Sequence, residues 1–292
     1  MRGSVAAALG VGVVAFFLSG CGEGGATEAA VAAESGVAGV PAPPDLDLDV
    51  PYVPTREPVV EKMLEMANVQ KDDFVIDLGS GDGRIPIAAA KKHGARGFGV
   101  DINPQRISEA NANAKAAGVT DKVEFRRQDL FKTKISDATV LTMYLLPSVN
   151  MQLRPRILSE LKPGTRVVSH AFDMEDWKPD EEAVVDGSNV YLWIVPAQAQ
   201  GRWRVSGGQA GDMTLDLTQT FQELSGTVTV GGQSRPIRDG RVRGDTLAFA
   251  YDSPSGPRLF SARVAGNTLT PAPAPAGASG QVVSGWKAVK AS

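Results

Sequence analysis

The feature that most constrains this chain is a glycine-rich turn between an apolar strand and a helix. Residues 74–78 are Phe-Val-Ile-Asp-Leu, a run typical of a strand buried on both faces, and residues 79–83 are Gly-Ser-Gly-Asp-Gly. An alanine-rich helix is predicted from Arg84 to His93. Such a turn lets the backbone approach a ligand closely and presents free N–H groups at the start of the helix. By itself the pattern is also compatible with a tight turn that binds nothing.

Helical and strand patterns alternate along residues 51–197, which predicts a parallel sheet covered by helices on both faces. Apolar residues at helical spacing predict helices over residues 57–69, 104–117 and 147–161. Short apolar runs predict further strands at residues 97–101, 123–125, 138–142 and 165–169.

The end of this segment departs from the alternation. Residues 182–185 and 190–195 are apolar runs separated by Asp-Gly-Ser-Asn, which predicts an antiparallel hairpin. The predicted fold class is therefore α/β, a Rossmann-like seven-stranded sheet with a C-terminal antiparallel hairpin.

From Arg202 onward the apolar pattern changes to a period of two. Glycine turns such as Gly231-Gly232 and Asp239-Gly240 separate short alternating runs. Six to seven such runs predict a small all-β domain, an antiparallel sandwich or barrel, with Trp286 closing its sheet.

The N-terminal residues have the pattern of an export signal. Arg2 precedes an apolar run of roughly 14 residues, shorter than the about 20 that a spanning helix needs. Residues 18–21, Leu-Ser-Gly-Cys, resemble the lipobox of bacterial lipoprotein precursors. We therefore expect lipid attachment at Cys21 and an exported, membrane-anchored protein on the periplasmic side of the cell envelope. An ordinary secretory signal is the alternative.

Residues 22–50 contain no aromatic residue and no Lys or Arg, which predicts a disordered linker. The predicted organisation is a signal peptide with lipobox over 1–21, the linker over 22–50, the α/β domain over 51–200 and the β domain over 201–292.

Charge and residue counts argue against a nucleic-acid partner, an internal disulfide and a metal site. The formal net charge is -3, so no nucleic-acid partner is expected. The single cysteine, Cys21, leaves no internal disulfide, and the two histidines lie far apart in the sequence. No metal site is therefore predicted.

Three acidic residues lie at the ends of neighbouring predicted strands: Asp77, Asp101 and Asp129. The carboxyl ends of parallel strands meet at one edge of a sheet, so the three side chains are expected to converge on one ligand. Arg84 stands where the nicotinamide fingerprint has its third glycine, and Asp77 would repel a pyrophosphate. A nicotinamide-dependent oxidoreductase is therefore disfavoured.

The loop Asp77–Gly83, Asp101 and Gln128-Asp129-Leu130 together resemble the motif series of class I S-adenosylmethionine (SAM)-dependent methyltransferases. That resemblance covers about half of the chain, residues 51–197. It implies SAM as cofactor, ribose binding by Asp101 and adenine binding by Asp129 beside Leu130. It also implies that the remaining cofactor-binding positions are Asp77, Gly79, Ser80, Gly81, Gly83 and Ile102.

Two further segments, residues 51–55 and 142–147, are similar to bacterial relatives of the lysine methyltransferases of ATP synthase subunit c and the nucleotide translocase. This resemblance implies a protein amine acceptor, Tyr52 and Thr55 as lid contacts to the cofactor and Tyr144 as the acceptor-side catalytic residue. Tyr144 as a packed aromatic is the alternative. Residues 142–145, Thr-Met-Tyr-Leu, depart from the Pro-Pro-aromatic motif of amino-methylating DNA enzymes, which disfavours a nucleobase acceptor.

Methyl transfer from a sulfonium needs alignment and exclusion of water more than a special nucleophile. A lysine must be neutral to attack, and burial against Tyr144, Phe172 or Trp177 would lower its pKa. His170 is expected either to accept a proton or to be a structural histidine. The competing function is a non-catalytic envelope lipoprotein that uses a methyltransferase-like fold as a binding or sensor module.

Overall fold

The structure, a computed structural model, describes residues 52–208, 211–278 and 280–291. The predicted signal peptide with Cys21 and the predicted linker lie outside the described residues. The described residues belong to one compact unit. No helix in this part of the chain combines the length and the apolar character needed to cross a bilayer.

The helices lie close to where the sequence predicts them. They are α1 (Glu57–Met66), α2 (Arg84–Ala88), α3 (Pro104–Ala117) and α4 (Pro147–Glu160). Helix α1 ends before the predicted Val69, because Asn68 adopts a left-handed φ of 46°. The predicted helix 84–93 divides into α2 and a π-helical turn, Ala89–His93.

Seven strands form the first sheet: β1 (Phe74–Leu78), β2 (Arg96–Asp101), β3 (Val123–Arg127), β4 (Val140–Met143), β5 (Arg166–His170), β6 (Glu181–Val185) and β7 (Ser188–Ile194). Their order is β3-β2-β1-β4-β5-β7-β6, in which the first five strands are parallel and β7 runs antiparallel to both of its neighbours. The parallel-dominated seven-stranded α/β sheet is confirmed.

The strand order places β1 at the centre of a topological switch. Chain connections from β1 lead first toward β2 and β3 and then back across the sheet to β4. In open α/β sheets the crevice at such a point, outside the carboxyl ends of the strands, is where ligands bind.

The central strands of the first sheet are buried on both faces. Val75 packs with α1 residues such as Met63 and Leu64 on one face, whereas Ile76 and Leu78 pack on the other. All five of these side chains are essentially inaccessible. Two apolar layers therefore hold the carboxyl end of β1 in a fixed position.

Ten strands follow in the described residues: β8 (Gly201–Gly207), β9 (Met213–Thr220), β10 (Glu223–Val230), β11 (Gln233–Pro236), β12 (Arg238–Arg243), β13 (Thr246–Ser253), β14 (Gly256–Ala265), β15 (Thr268–Pro271), β16 (Gln281–Val282) and β17 (Trp286–Lys290). The prediction of six to seven strands was therefore too low, because short runs such as β11 and β16 carry little periodic signal.

Eight of these strands close into a barrel, since β10 pairs with both β9 and β12. Strand β11 adds to β10, and β16 pairs parallel with β14. Inside the barrel, the ring of Phe260 stacks 4.3 Å from that of Trp286 and 5.0 Å from that of Phe249. Side chains fill an eight-stranded barrel of this size. Trp286 begins β17, which joins β8 to β15, so it lies on the closure of the sheet as predicted.

Gly97 tests the register of the first sheet. A Cβ at this position would lie 1.8 Å from the carbonyl oxygen of Val75. We expect Gly97→Ala to lower the free energy of unfolding by about 3 kcal/mol or more, because the backbone of β1 cannot move aside. The exposed neighbour Arg96 provides the control: Arg96→Ala should change stability by less than about 0.5 kcal/mol. Urea unfolding of both variants measures the difference, and equal stabilities would contradict the register.

Candidate functional site

A cavity of about 270 Å³ opens at the carboxyl ends of the central strands. This volume is close to the lower end of small-molecule sites, about 300–1,000 Å³. Eleven of the twelve residues predicted to bind cofactor or acceptor line it: Tyr52, Thr55, Asp77, Gly79, Ser80, Gly81, Asp101, Ile102, Asp129, Leu130 and Tyr144. The twelfth, Gly83, does not.

Gly83 has a packing role. A Cβ there would lie 2.4 Å from the ring of Phe125 on β3, and its φ is 80°. Its missing side chain therefore lets the start of α2 approach β3. The spacing of glycines alone cannot separate a residue that faces a ligand from one that faces the sheet.

Gly81, in contrast, lies directly beneath the ring of Tyr52. A Cβ on Gly81 would be 2.4 Å from Tyr52 Cε2, and the φ of Gly81 is 52°. The neighbouring Ser80 lines the cavity, but its hydroxyl is buried without a partner among the described residues, in space that Gly99 leaves free.

Asp77 is the most strongly perturbed carboxyl group of the site. Its side chain is buried, and Thr142 Oγ1 donates a 2.7 Å hydrogen bond to its Oδ1. Burial is the largest cause that raises the pKa of Asp77; the Thr142 hydrogen bond lowers it, the nearby charges of Asp101 and Asp82 raise it, and the net value is about 7. The group is therefore poised to ionise near neutral pH and would be stabilised by a cation in the cavity.

Asp101 joins the end of β2 to the glycine loop. Its Oδ2 accepts the backbone N–H of Gly81 at 3.0 Å, and its Oδ1 accepts that of Asn103 at 2.9 Å. Each carboxylate oxygen offers about two acceptor positions, so both remain able to accept a further donor from the cavity. A ligand with two adjacent hydroxyl groups matches this arrangement.

Asp129 occupies the third side of the same cavity. It precedes a short 3₁₀ turn, Leu130–Lys132, and its Oδ1 accepts the backbone N–H of Phe131 at 2.8 Å. Leu130 and Phe131 line the cavity beside it. The three acidic residues thus line one cavity, as the sequence predicted, with an apolar surface next to the third.

The N-terminal segment 52–55 is held over the glycine loop by two arginines. Arg84 pairs with Asp82 through two hydrogen bonds, 2.9 and 2.6 Å, and donates a third, 2.7 Å, to the carbonyl oxygen of Thr55. The guanidinium of Arg106 lies 4.1 Å from the centroid of the Tyr52 ring. Sequence reasoning used Arg84 only against a nicotinamide site and missed this role.

Tyr144 and Phe172 form an aromatic wall of the cavity, with ring centroids 6.3 Å apart and planes within 24°. His170 lies behind this wall, not among the lining residues: its ring centroid is 3.8 Å from that of Tyr144, and its Nδ1 is 3.1 Å from Thr55 Oγ1. Burial, with a contribution from Arg56, lowers the pKa of His170 to about 4. His170 is therefore neutral at physiological pH and suits the structural interpretation.

Trp177 does not belong to the wall, although the sequence made it a candidate. It is fully buried, and its ring centroid lies 5.9 Å from that of Trp193. Within residues 52–208, 211–278 and 280–291, no group of three His, Cys, Asp or Glu side chains is placed to hold a metal ion.

Residues 77–181 match the family described as the ANTKMT methyltransferase domain. A protein-lysine N-methyltransferase of Saccharolobus islandicus is 50% identical over 151 residues, which are 50% of this chain and 94% of that protein. The adenine nucleotide translocase lysine N-methyltransferase of Mus musculus is 35% identical, over 53% of this chain and 67% of that protein.

A crystal structure described as an RNA methyltransferase of Salinibacter ruber with S-adenosyl-L-homocysteine is 56% identical. The match covers 50% of this chain and 95% of that one, with a TM-score of 0.49.

The raised pKa of Asp77 predicts a pH dependence of stability. The folded protein keeps a proton on Asp77 up to about pH 7, whereas the unfolded chain loses it near 3.8. The folded state therefore binds the extra proton between these values, and stability falls as pH rises through this window. Asp77→Asn removes the titrating group. The free energy of unfolding of this variant, relative to that of wild type, should therefore rise from pH 4 to pH 8, by up to about 4 kcal/mol.

Urea unfolding across pH 4–9 measures this difference. Thr142→Val removes the hydrogen bond that lowers the pKa of Asp77, so it should move the midpoint of the pH dependence upward. A difference between Asp77→Asn and wild type that stays constant with pH would contradict the assignment.

Proposed function

This chain belongs to the SAM-dependent methyltransferase family that includes the archaeal and mammalian lysine N-methyltransferases, and we propose that it methylates a lysine amine of a protein. The observation that carries the proposal is the single cavity that Asp77, Asp101 and Asp129 share with the Tyr144–Phe172 wall. Family membership favours this enzyme over a non-catalytic sensor.

The cofactor of this methyltransferase is SAM, and the carboxyl groups and apolar surface of the cavity fit it. When bound, SAM supplies a methyl group already activated by attachment to a positively charged sulfur. Asp101 retains acceptor positions for the ribose hydroxyls, and Asp129 with Leu130 offers an acceptor and an apolar surface for adenine. Asp77 offers a carboxylate for the ammonium group, and ligand charge would lower its pKa from about 7.

The residues of the wall support an amine as acceptor. Tyr144, Phe172 and Leu146 line the cavity with ring and aliphatic surface. An amine that enters this surface loses water, which favours its neutral form and frees the lone pair for attack. His170 lies behind the wall and burial lowers its pKa to about 4, so it is a weak base outside the cavity and we assign it no proton transfer.

Labelling with tritiated SAM tests the proposed reaction. Incubation of the full chain with a bacterial envelope protein fraction should label a protein band, and acid hydrolysis should recover methyl-lysine. Asp101→Ala removes the carboxylate proposed to accept charge-assisted hydrogen bonds from the two ribose hydroxyls. SAM affinity should therefore fall at least tenfold. Tyr144→Ala should keep SAM affinity within about twofold by calorimetry and lose most of the labelling.

Circular dichroism is the control that both variants remain folded. A total RNA fraction is labelled in parallel, since the Salinibacter ruber structure is described as an RNA methyltransferase. Label in RNA and none in protein would overturn the lysine proposal, whereas full labelling by Tyr144→Ala would contradict the role of Tyr144 on the acceptor side.

We also propose that the protein is an exported lipoprotein attached to the membrane through Cys21. The support is the order of Arg2, an apolar run and Leu-Ser-Gly-Cys in the sequence. An exported enzyme would draw on SAM that has crossed the inner membrane.

Metabolic labelling with tritiated palmitate tests the anchor. Wild type should incorporate label and sediment with membranes, whereas Cys21→Ser should lose the label, because no thiol remains for acylation. Ser19→Ala keeps a small residue before the cysteine and should be labelled like wild type. Unlabelled wild-type protein in the soluble fraction would rule the anchor out.

A further inference from the structure

Residues 171–180, the acceptor-side loop, connect β5 to β6 and carry Phe172 to the cavity wall. The loop contains no glycine, yet Ala171 and Glu175 have left-handed φ angles of 67° and 56°. Residues other than glycine hold this conformation only where surrounding contacts impose it. The contacts that impose it therefore also determine where Phe172 lies.

Helix α4 supplies one set of these contacts. Asn150 is fully buried, and its Nδ2 donates to the carbonyl oxygens of Phe172 at 3.2 Å and Asp173 at 3.3 Å. Arg154 Nη1 donates to the carbonyl oxygen of Met174 at 2.9 Å. These contacts hold the first half of the loop.

The barrel supplies the contacts to the second half. The ring of Phe221 stacks on Trp177, with centroids 5.9 Å apart and planes within 17°. Gln222 Nε2 donates to the carbonyl oxygen of Lys178 at 2.7 Å. Arg241 Nη2 donates at 2.8 Å to Asp180, whose side chain is almost completely buried.

Phe221 is itself unusual. It lies in the turn between β9 and β10 with a φ of 53°, a conformation that an aromatic residue rarely adopts. Its ring also faces Arg154, whose guanidinium carbon is 5.2 Å from the ring centroid. Phe221 thus touches both the loop and the arginine that holds the other half of the loop.

The barrel lies outside what this chain shares with one relative. The Saccharolobus islandicus protein matches this chain over 94% of its own length and only 50% of the length of this chain, which leaves too little for a second domain of this size. The barrel of this chain contacts the acceptor-side loop rather than the three carboxyl groups.

We propose that the barrel positions the acceptor-side loop, with Phe221 as the positioning residue, and thereby sets how well the wall at Phe172 receives the acceptor. The inference rests on the proposed function, because it assumes that the acceptor meets this wall. The cofactor half of the cavity is independent of the barrel.

Phe221→Asn in the full chain is the test variant, because asparagine tolerates the left-handed turn but removes the ring. Hydrogen exchange followed by mass spectrometry should show at least tenfold faster exchange in residues 172–178, with residues 79–83 unchanged. Calorimetry should give a Kd for SAM within twofold of wild type. Arg241→Gln should show the same pattern more weakly.

The matched control is Arg202→Gln, which breaks an exposed ion pair with Asp216 between strands β8 and β9 and should change none of these readouts. In the tritium assay with the envelope protein fraction, Phe221→Asn should raise the apparent KM for the acceptor five- to tenfold and leave kcat within twofold. Unchanged exchange in the loop, or a SAM Kd that rises with the KM, would overturn the proposal.

Failure of the proposed function gives a different result. Wild type would then bind SAM and label no protein, while the exchange comparison between Phe221→Asn and wild type would still decide whether the barrel holds the loop.

Discussion

The hydrogen bond from the Gly81 backbone N–H to the Asp101 carboxylate joins the two strand ends on which the site is built. It ties the glycine loop after β1 to the carboxyl end of β2, and it leaves acceptor positions of that carboxylate directed to the cavity. Tyr52 closes over the same loop because Gly81 has no Cβ. This hydrogen bond and the missing Cβ of Gly81 therefore bring together the glycine loop, the Asp101 carboxylate and the ring of Tyr52.

The buried carboxyl group of Asp77 lowers the stability of the folded protein and favours binding of a cation. An ionised carboxylate without a cationic partner is costly in an apolar interior, which raises the pKa of Asp77 to about 7. Thr142 on β4 offsets part of the cost with one hydrogen bond. A positively charged ligand would remove the rest of this cost when it pairs with the Asp77 carboxylate. The buried carboxylate, already in place, therefore adds to the affinity for such a ligand.

The two sheets contribute to different halves of the cavity. The parallel sheet supplies every carboxyl group and the glycine loop, and its order places them at one switch point. The acceptor-side loop, which carries two left-handed residues, has contacts to α4 and to the barrel. A strained loop needs such support from outside itself, and here the support comes from residues distant in sequence.

The sequence by itself determined the seven-stranded α/β sheet and most element bounds, which follow from local periodicity. It also determined that Asp77, Asp101 and Asp129 line one cavity, because the carboxyl ends of parallel strands meet at one edge. The positions of Tyr52, Thr55 and Tyr144 at the cavity followed from resemblance to known methyltransferases. Only the tertiary structure decided that Gly83 faces Phe125, that Arg84 holds Thr55 and that His170 lies behind Tyr144. It also decided that the β domain is a closed barrel with Phe221 against Trp177. The physical reason is that each of these outcomes depends on contacts between residues far apart in the chain, whose partners no local pattern identifies.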